Sequence, residues 1–82
     1  MRMMITIQFD PHDFAAMSAL IPQEQEHIRT LMGEGKVEAI YISAERTVVW
    51  LIMKGETKEQ IEQELSGFPL YPYMKSQFVH LM

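Results

Sequence analysis

Residues 67–74, with the sequence GFPLYPYM, decide how the rest of the chain is arranged. Pro69 and Pro72 hold the backbone extended and remove two amide donors, which predicts neither a helix interior nor a central strand. The segment is therefore a connection, but an unusually apolar one. Its apolar and aromatic side chains are Phe68, Leu70, Tyr71, Tyr73 and Met74. We expect such a connection to fold back against the body of the domain or against a second subunit.

The segments on either side alternate between strand and helix patterns. Strand patterns cover residues 3–9, 36–44, 46–54 and 75–82. Helical patterns cover residues 13–32 and, after a Thr57 cap, the residues up to Gly67. Pro22 interrupts the first of these, and it either kinks one long helix or opens a second one. The interpretation favoured here is a helix that runs through both halves.

The order β-α-β-β-α-β is the signature of a ferredoxin-like domain. It predicts a single α+β domain over residues 1–82, with a four-stranded antiparallel sheet and both helices on one face. Residues 48–53 of the third strand, VVWLIM, are apolar on both faces. Since the helices cover only one face, we expect the sheet of a second copy to cover the other, giving a homodimer or a higher homo-oligomer.

Size, charge and cysteine content limit the class of protein. The chain has 82 residues, no cysteine and a net charge of -4. Thinly spread basic residues argue against nucleic acid as a partner, and no apolar run reaches the roughly 20 residues that span a membrane. The N-terminus has no signal-peptide pattern, so a cytoplasmic location is expected.

Glu24 is the most informative polar residue. It lies four residues after Leu20 and four before Ile28, so in a continuous helix it shares their apolar stripe and faces the sheet. A carboxyl there loses its water, which raises its pKa toward the range useful for proton transfer. The alternative is that Pro22 shifts the register and leaves Glu24 as a solvated acid in the first helical turn.

The three histidines, His12, His27 and His80, do not have the spacing of a metal site. His27 lies one helical turn after Glu24 and can neighbour it. A structural or solvated role is favoured for each histidine, and neither a metal nor a cofactor is expected.

The second and third strands supply further candidates. Val37, Ala39, Tyr41 and Ser43 are predicted to share one face of strand two, and Trp50 approaches them from strand three. These side chains form either a pocket wall with two hydroxyl groups or an ordinary core. Arg46, beside Glu45 at the hairpin tip, is either a solvated partner of that acid or a cation at the mouth of a pocket.

The residues 68–74, FPLYPYM, after an amphipathic helix, together with Gly35-Lys36 at the end of the first helix, resemble the muconolactone Δ-isomerase family. The likeness covers residues 21–81. It implies a ferredoxin-like fold whose dimers form an α/β barrel. It also implies a cofactor-free shift of a double bond in an unsaturated lactone that bears a carboxylate, during aromatic catabolism. The resemblance aligns Glu24 with a glutamate of the family's first helix.

Two departures from the family pattern bear on the substrate. Family members carry an aromatic-Arg pair in the second strand, where this chain has Tyr41-Ile42. The family's Gly-x-Tyr-Ala-Asn type hairpin is replaced by residues 45–49, ERTVV. Arg46 is the candidate to replace the missing cation.

The leading hypothesis is an isomerase with Glu24 as the proton shuttle in a pocket between the helices and the sheet. The candidate substrate-binding residues are Tyr41, Ser43, Arg46, Trp50, Phe68, Tyr73 and His27. The substrate is expected to be a small unsaturated lactone or ring compound, with or without a carboxylate. The competing hypothesis is a non-catalytic module on the same scaffold that binds a small ligand or oligomerises. A cofactor-free oxygenase is a third hypothesis, by analogy alone.

Overall fold

The computed structural model describes all residues from 1 to 82, and it contains one four-stranded antiparallel sheet. The strands are β1 (Arg2–Gln8), β2 (Val37–Ile42), β3 (Val48–Lys54) and β4 (Lys75–Leu81). The helices are α1 (Phe14–Ser18), α2 (Ile21–Gly33) and α3 (Lys58–Ser66). Short 3-10 turns lie at Pro11–Asp13 and Tyr71–Tyr73. The strand order β2-β3-β1-β4 confirms the predicted ferredoxin-like fold.

The core lies between the helices and one face of the sheet. Ile5 in the central strand β1 pairs with Leu51 of β3 on one side and with Phe78 of β4 on the other. Ile61 and Leu65 of α3 are fully buried, and their spacing of four residues places them on one side of the helix. Alternation along β1 therefore places one set of side chains under the helices and the other set on the opposite face.

The prediction of one helix through Pro22 is wrong. The chain breaks after Ser18, and a new helix, α2, begins at Ile21 with Pro22 in its first turn. Pro22 has no amide hydrogen for the carbonyl of Ser18, and its ring would collide with that carbonyl in a continuous helix. At the start of a helix this missing donor costs nothing.

The GFPLYPYM segment is a connection that folds back on the core, as predicted, but it is not extended throughout. Phe68 and Leu70 are buried, whereas Tyr71 is exposed. Residues Tyr71–Tyr73 form a 3-10 turn in which Met74 donates its N–H to the carbonyl of Tyr71 at 3.0 Å. Proline fits this turn because its fixed φ lies close to the helical value.

A bulge in β2 changes the predicted faces of that strand. The pairing with β3 shifts between Val37 and Ala39, so Val37 pairs with Met53 and Ala39 with Ile52. Val37 is therefore buried under the helices, whereas Ala39 and Tyr41 lie on the opposite face. The prediction that these residues share one face is wrong because the extra residue, Glu38, inverts the alternation.

The face of the sheet away from the helices is uncovered and largely apolar, and we call it the open face. Its apolar members are Met4, Ala39, Tyr41, Val48, Trp50, Ile52, Val79 and Leu81. Arg2, Glu38 and Lys54 form ion pairs at one end of it.

None of the helices α1, α2 and α3 has both the length and the apolar character needed to span a membrane.

Candidate functional site

A cavity of about 930 Å³ lies between α1, α2 and the covered face of the sheet. Most of its lining is apolar. The polar side chains that reach it are Ser18, Glu24, Gln25, Arg29, Ser43 and Arg46. An apolar cavity with a few polar groups is the usual form of a small-molecule site.

Glu24 is the one buried charged residue of the chain, and it lines this cavity. Its side chain is 7% exposed, so the alternative of a solvated acid does not hold. The α2 helix places Glu24 in its first turn and on the same side as Ile28, which also lines the cavity. Glu24 and Ile28 both belong to α2, so their position on one side of this helix does not depend on the residues before Pro22. Glu24 therefore faces inward although the helix is not continuous.

The backbone of the GFPLYPYM segment fixes the carboxyl group of Glu24. The N–H of Leu70 donates to Oε1 at 3.2 Å. Burial raises the pKa of Glu24, and the hydrogen bond from Leu70 opposes this increase without cancelling it. No protein group donates to Oε2. One oxygen is thus held in place while the other is free to meet a ligand.

The β2–β3 hairpin brings Ser43 and Arg46 to the cavity. The Oγ of Ser43 accepts the N–H of Val48 at 3.1 Å, which leaves the hydroxyl hydrogen free to donate. Arg46 closes the turn by donating its N–H to the carbonyl of Ser43 at 2.9 Å. It adopts φ of 63°, a left-handed conformation that favours glycine.

Tyr41 and Trp50 do not form the predicted wall of the pocket. They pair with each other across β2 and β3, and both lie on the open face. Tyr41 is 60% exposed. Alternation along β3 turns Trp50 away from Leu51, which lines the cavity from the other side.

Phe68 does line the cavity, but His27 and Tyr73 do not. His27 packs edge-on against Phe68, with ring centroids 4.9 Å apart. Its Nε2 is buried without a hydrogen-bond partner. Tyr73, near the end of the GFPLYPYM segment, is partly buried and packs against the core. The binding roles assigned to all these residues stay predictions.

Sequence reasoning missed Gln25 and Arg29, which approach the cavity from α2. The signal that could have found Gln25 is the series Ile21, Gln25, Ile28 and Met32, whose spacing of four, three and four residues marks one side of a helix. The assumption of a continuous helix through Pro22 directed attention to the Leu20 register instead.

The arrangement suits proton transfer in an apolar space. A carboxyl group with a raised pKa faces the cavity, and a hydroxyl and a guanidinium reach it from the hairpin. No group of three or more His, Cys, Asp or Glu side chains lies close enough to hold a metal ion.

Comparisons with known proteins show the family and the fold of the chain. A search of curated protein sequences gave no match. A similar solved structure is that of the 5-chloro-2-hydroxyhydroquinone dehydrochlorinase from Burkholderia phenoliruptrix AC1100, in complex with 2,5-dihydroxybenzoquinone. The TM-score is 0.82 at 13% identity, over 100% of this chain and 94% of that one, which shows a shared fold. The family model for muconolactone delta-isomerase matches residues 1–82. The chain therefore belongs to the muconolactone delta-isomerase family.

Proposed function

We propose that this protein is a cofactor-independent isomerase that moves a proton within a small unsaturated lactone or ring compound, with or without a carboxylate. Glu24 is the proton shuttle. One observation supports this most strongly: a buried carboxyl group, with its pKa raised by burial, presents a free oxygen to an apolar cavity. Its raised pKa brings it closer to working pH, where an acid-base group transfers protons in both directions.

In this mechanism the carboxylate of Glu24 removes a proton from a carbon next to the substrate carbonyl. The electron pair of the broken C–H bond moves into a conjugated enolate. Glu24 then returns the proton to a different carbon, which shifts the double bond and restores the carboxylate. The free hydroxyl hydrogen of Ser43 is the available donor for the enolate oxygen.

Family membership and the structural neighbour support a substrate from aromatic catabolism. The family is described by an isomerase of a lactone, and the neighbour acts on a chlorinated hydroquinone. Each is a small oxygenated ring of the kind that an apolar cavity with a few donors can hold. The step proposed for this chain is the isomerisation of such a ring or lactone.

We also propose that a second copy of the chain covers the open face. Four strands about 4.8 Å apart, each about seven residues long, give a surface of roughly 19 Å by 23 Å. Its centre is apolar, with Met4, Trp50 and Ile52 side by side across β1 and β3. An exposed apolar patch of this size often marks an interaction surface, and a two-fold axis lets one face pack against its own copy. This homodimer is the α/β barrel that the family resemblance implies.

The test of the catalytic proposal is turnover by the Glu24→Gln variant. Muconolactone and related unsaturated lactones are incubated with the protein in D2O, and proton NMR follows both isomerisation and deuterium incorporation. We expect the variant to be at least about 100-fold slower than the wild type, the lower end of what acid-base catalysis contributes. Glu59→Gln is the matched control, because Glu59 is also an acid in the first turn of a helix but is exposed and does not line the cavity.

A ligand-binding module without catalysis is the second candidate, and Ile42 favours it. This residue lines the cavity where family members carry the strand-two arginine, so the strand supplies no cation. Equal rates for wild type and Glu24→Gln, with ligand binding intact, would support the module and contradict the isomerase.

A further inference from the structure

The cavity is larger than a single ring requires. At about 930 Å³ it has room for roughly 30 water molecules, since each takes about 30 Å³ in the liquid. It is also long, because Ile21 and Met32 of α2 both line it. These residues lie 11 positions apart, which is roughly 16 Å along a helix that rises 1.5 Å per residue.

The apolar lining continues out of the cavity to the surface. Ile21, Met32 and Ile42 line the cavity and are also among the exposed large hydrophobic residues. The side chain of Ile42 is 59% exposed. A single small ring held near Glu24 would leave these side chains in water. A longer apolar molecule would cover them and gain the free energy of that burial.

Arg46 supplies an unpaired cation at the same cavity. The other two arginines are paired, Arg2 with Glu38 and Arg29 with Glu26. Arg46 makes no ion pair and no side-chain hydrogen bond. The backbone of Arg46 has φ of 63°, a conformation in which glycine would be less strained, so the turn itself does not require an arginine at this position. A free guanidinium binds an acidic group through two parallel hydrogen bonds and stacks on aromatic rings.

We infer that the cavity takes a multi-ring apolar molecule with one acidic group, and that Arg46 binds the acidic group. The rings extend along α2 past Ile28 to the exposed side chains at the mouth. This inference rests on the proposed function, because it names the substrate class of the same site. It excludes an unsubstituted single-ring lactone as the ligand of highest affinity.

The experiment measures binding, so it is independent of turnover. Titration calorimetry or ligand fluorescence compares benzoate, 2-naphthoate and anthracene-2-carboxylate on the full chain. We expect affinity to rise about tenfold or more from one ring to three, because each ring buries further apolar surface. The neutral amide 2-naphthamide tests the acidic group. Contacts between ligand protons and the methyl groups of Ile28 and Ile42, measured by NMR, locate the ligand.

Two variants of Arg46 and one control complete the design. Arg46→Gln is expected to weaken binding of anthracene-2-carboxylate about tenfold and to leave that of the amide nearly unchanged. Arg46→Gly removes the same charge and relieves the left-handed backbone, so it is expected to weaken binding without lowering the melting temperature. Arg2→Gln is the control, because Arg2 does not line the cavity.

Three results would overturn the inference. The first is equal affinity for benzoate and anthracene-2-carboxylate, and the second is an equal effect of Arg46→Gln and Arg2→Gln on binding. The third is that the NMR contacts of the ligand lie on the open face, or that the ligand makes no contact with the cavity. Absence of contacts is expected if a second copy of the chain fills the cavity. A failure of this kind leaves the role of Glu24 standing. Conversely, unchanged turnover by Glu24→Gln removes the isomerase, and a preference for three rings would then describe a bound ligand and not a substrate.

Discussion

The Oε1 atom of Glu24 accepts the N–H of Leu70 at 3.2 Å, which joins α2 to the GFPLYPYM segment across 46 positions of the chain. The donor is a backbone group between Pro69 and Pro72, where the chain has little freedom. The carboxyl group is therefore oriented by the fold itself, and its second oxygen is left to the cavity. The segment folds back on the domain because Phe68 and Leu70 are buried in the core, and the hydrogen bond from Leu70 fixes its position relative to α2.

The first prediction concerns the pH dependence of stability. Burial raises the pKa of Glu24 in the folded state above its value of 4.5 in the unfolded chain. The folded state thus binds more protons between these two pKa values, and Glu24 lowers the free energy of unfolding as pH rises through that window. Below 4.5 this loss is absent. The free energy of unfolding of the wild type minus that of Glu24→Gln, measured with urea, should therefore fall as pH rises above 4.5 and then level off.

The difference between the two proteins isolates Glu24, since Asp10 and Glu38, whose pKa values are lowered by His12 and Arg2, titrate in both. A difference that stays flat with pH, or rises with it, would contradict a raised pKa.

The second prediction concerns two glycines. A Cβ at Gly55 would lie 2.8 Å from Cγ1 of the buried Ile61, so Gly55→Ala should destabilise the fold by about 1–3 kcal/mol through overpacking. A Cβ at Gly33 would meet nothing within 4 Å at the end of α2. Gly33→Ala is the control and should stabilise the helix by up to about 1 kcal/mol. Denaturant unfolding measures both, and equal effects would argue against the packing of α3 described here.

The third prediction concerns the open face. Trp50→Arg places a charge at the centre of the proposed contact between two copies and should convert a dimer into monomers. Gln63→Arg adds the same charge on the exposed side of α3 and should leave the dimer intact. Sedimentation velocity at micromolar concentration measures whether each variant is a monomer or a dimer. A wild-type protein that is monomeric under these conditions would contradict a second copy on this face.

The fold could be predicted from the sequence because several local signals agreed. Thr57 was predicted to cap α3, and its side chain accepts the N–H of Gln60 at 3.1 Å. The apolar run in β3 indicated a strand with two apolar faces, and the structure gives Leu51 to the core and Trp50 to the open face. Each signal depends only on a few neighbouring residues. The wrong prediction of a continuous helix through Pro22 therefore did not affect the other elements.

The site was harder to predict because it depends on which face each side chain takes. The bulge at Glu38 places Tyr41 on the open face, and the alternation of side chains along β3 places Trp50 there as well. Neither side chain therefore lies in the predicted pocket. Glu24 was found, although the continuous helix used to argue for it is broken at Pro22. Gln25 and Arg29 were missed because the continuous helix directed attention to the register of Leu20, and not to the neighbouring series that begins at Ile21.

The central claim is that Glu24 is a cavity-facing carboxyl group with a raised pKa. Its most direct test is a titration of the side-chain carboxyl carbon by 13C NMR, with the resonance assigned by its absence in Glu24→Gln. We predict a midpoint above 4.5, and a further change in the Glu24 signal when a ring-containing carboxylate enters the cavity. A midpoint at or below 4.5, with no response to such a ligand, would contradict the account.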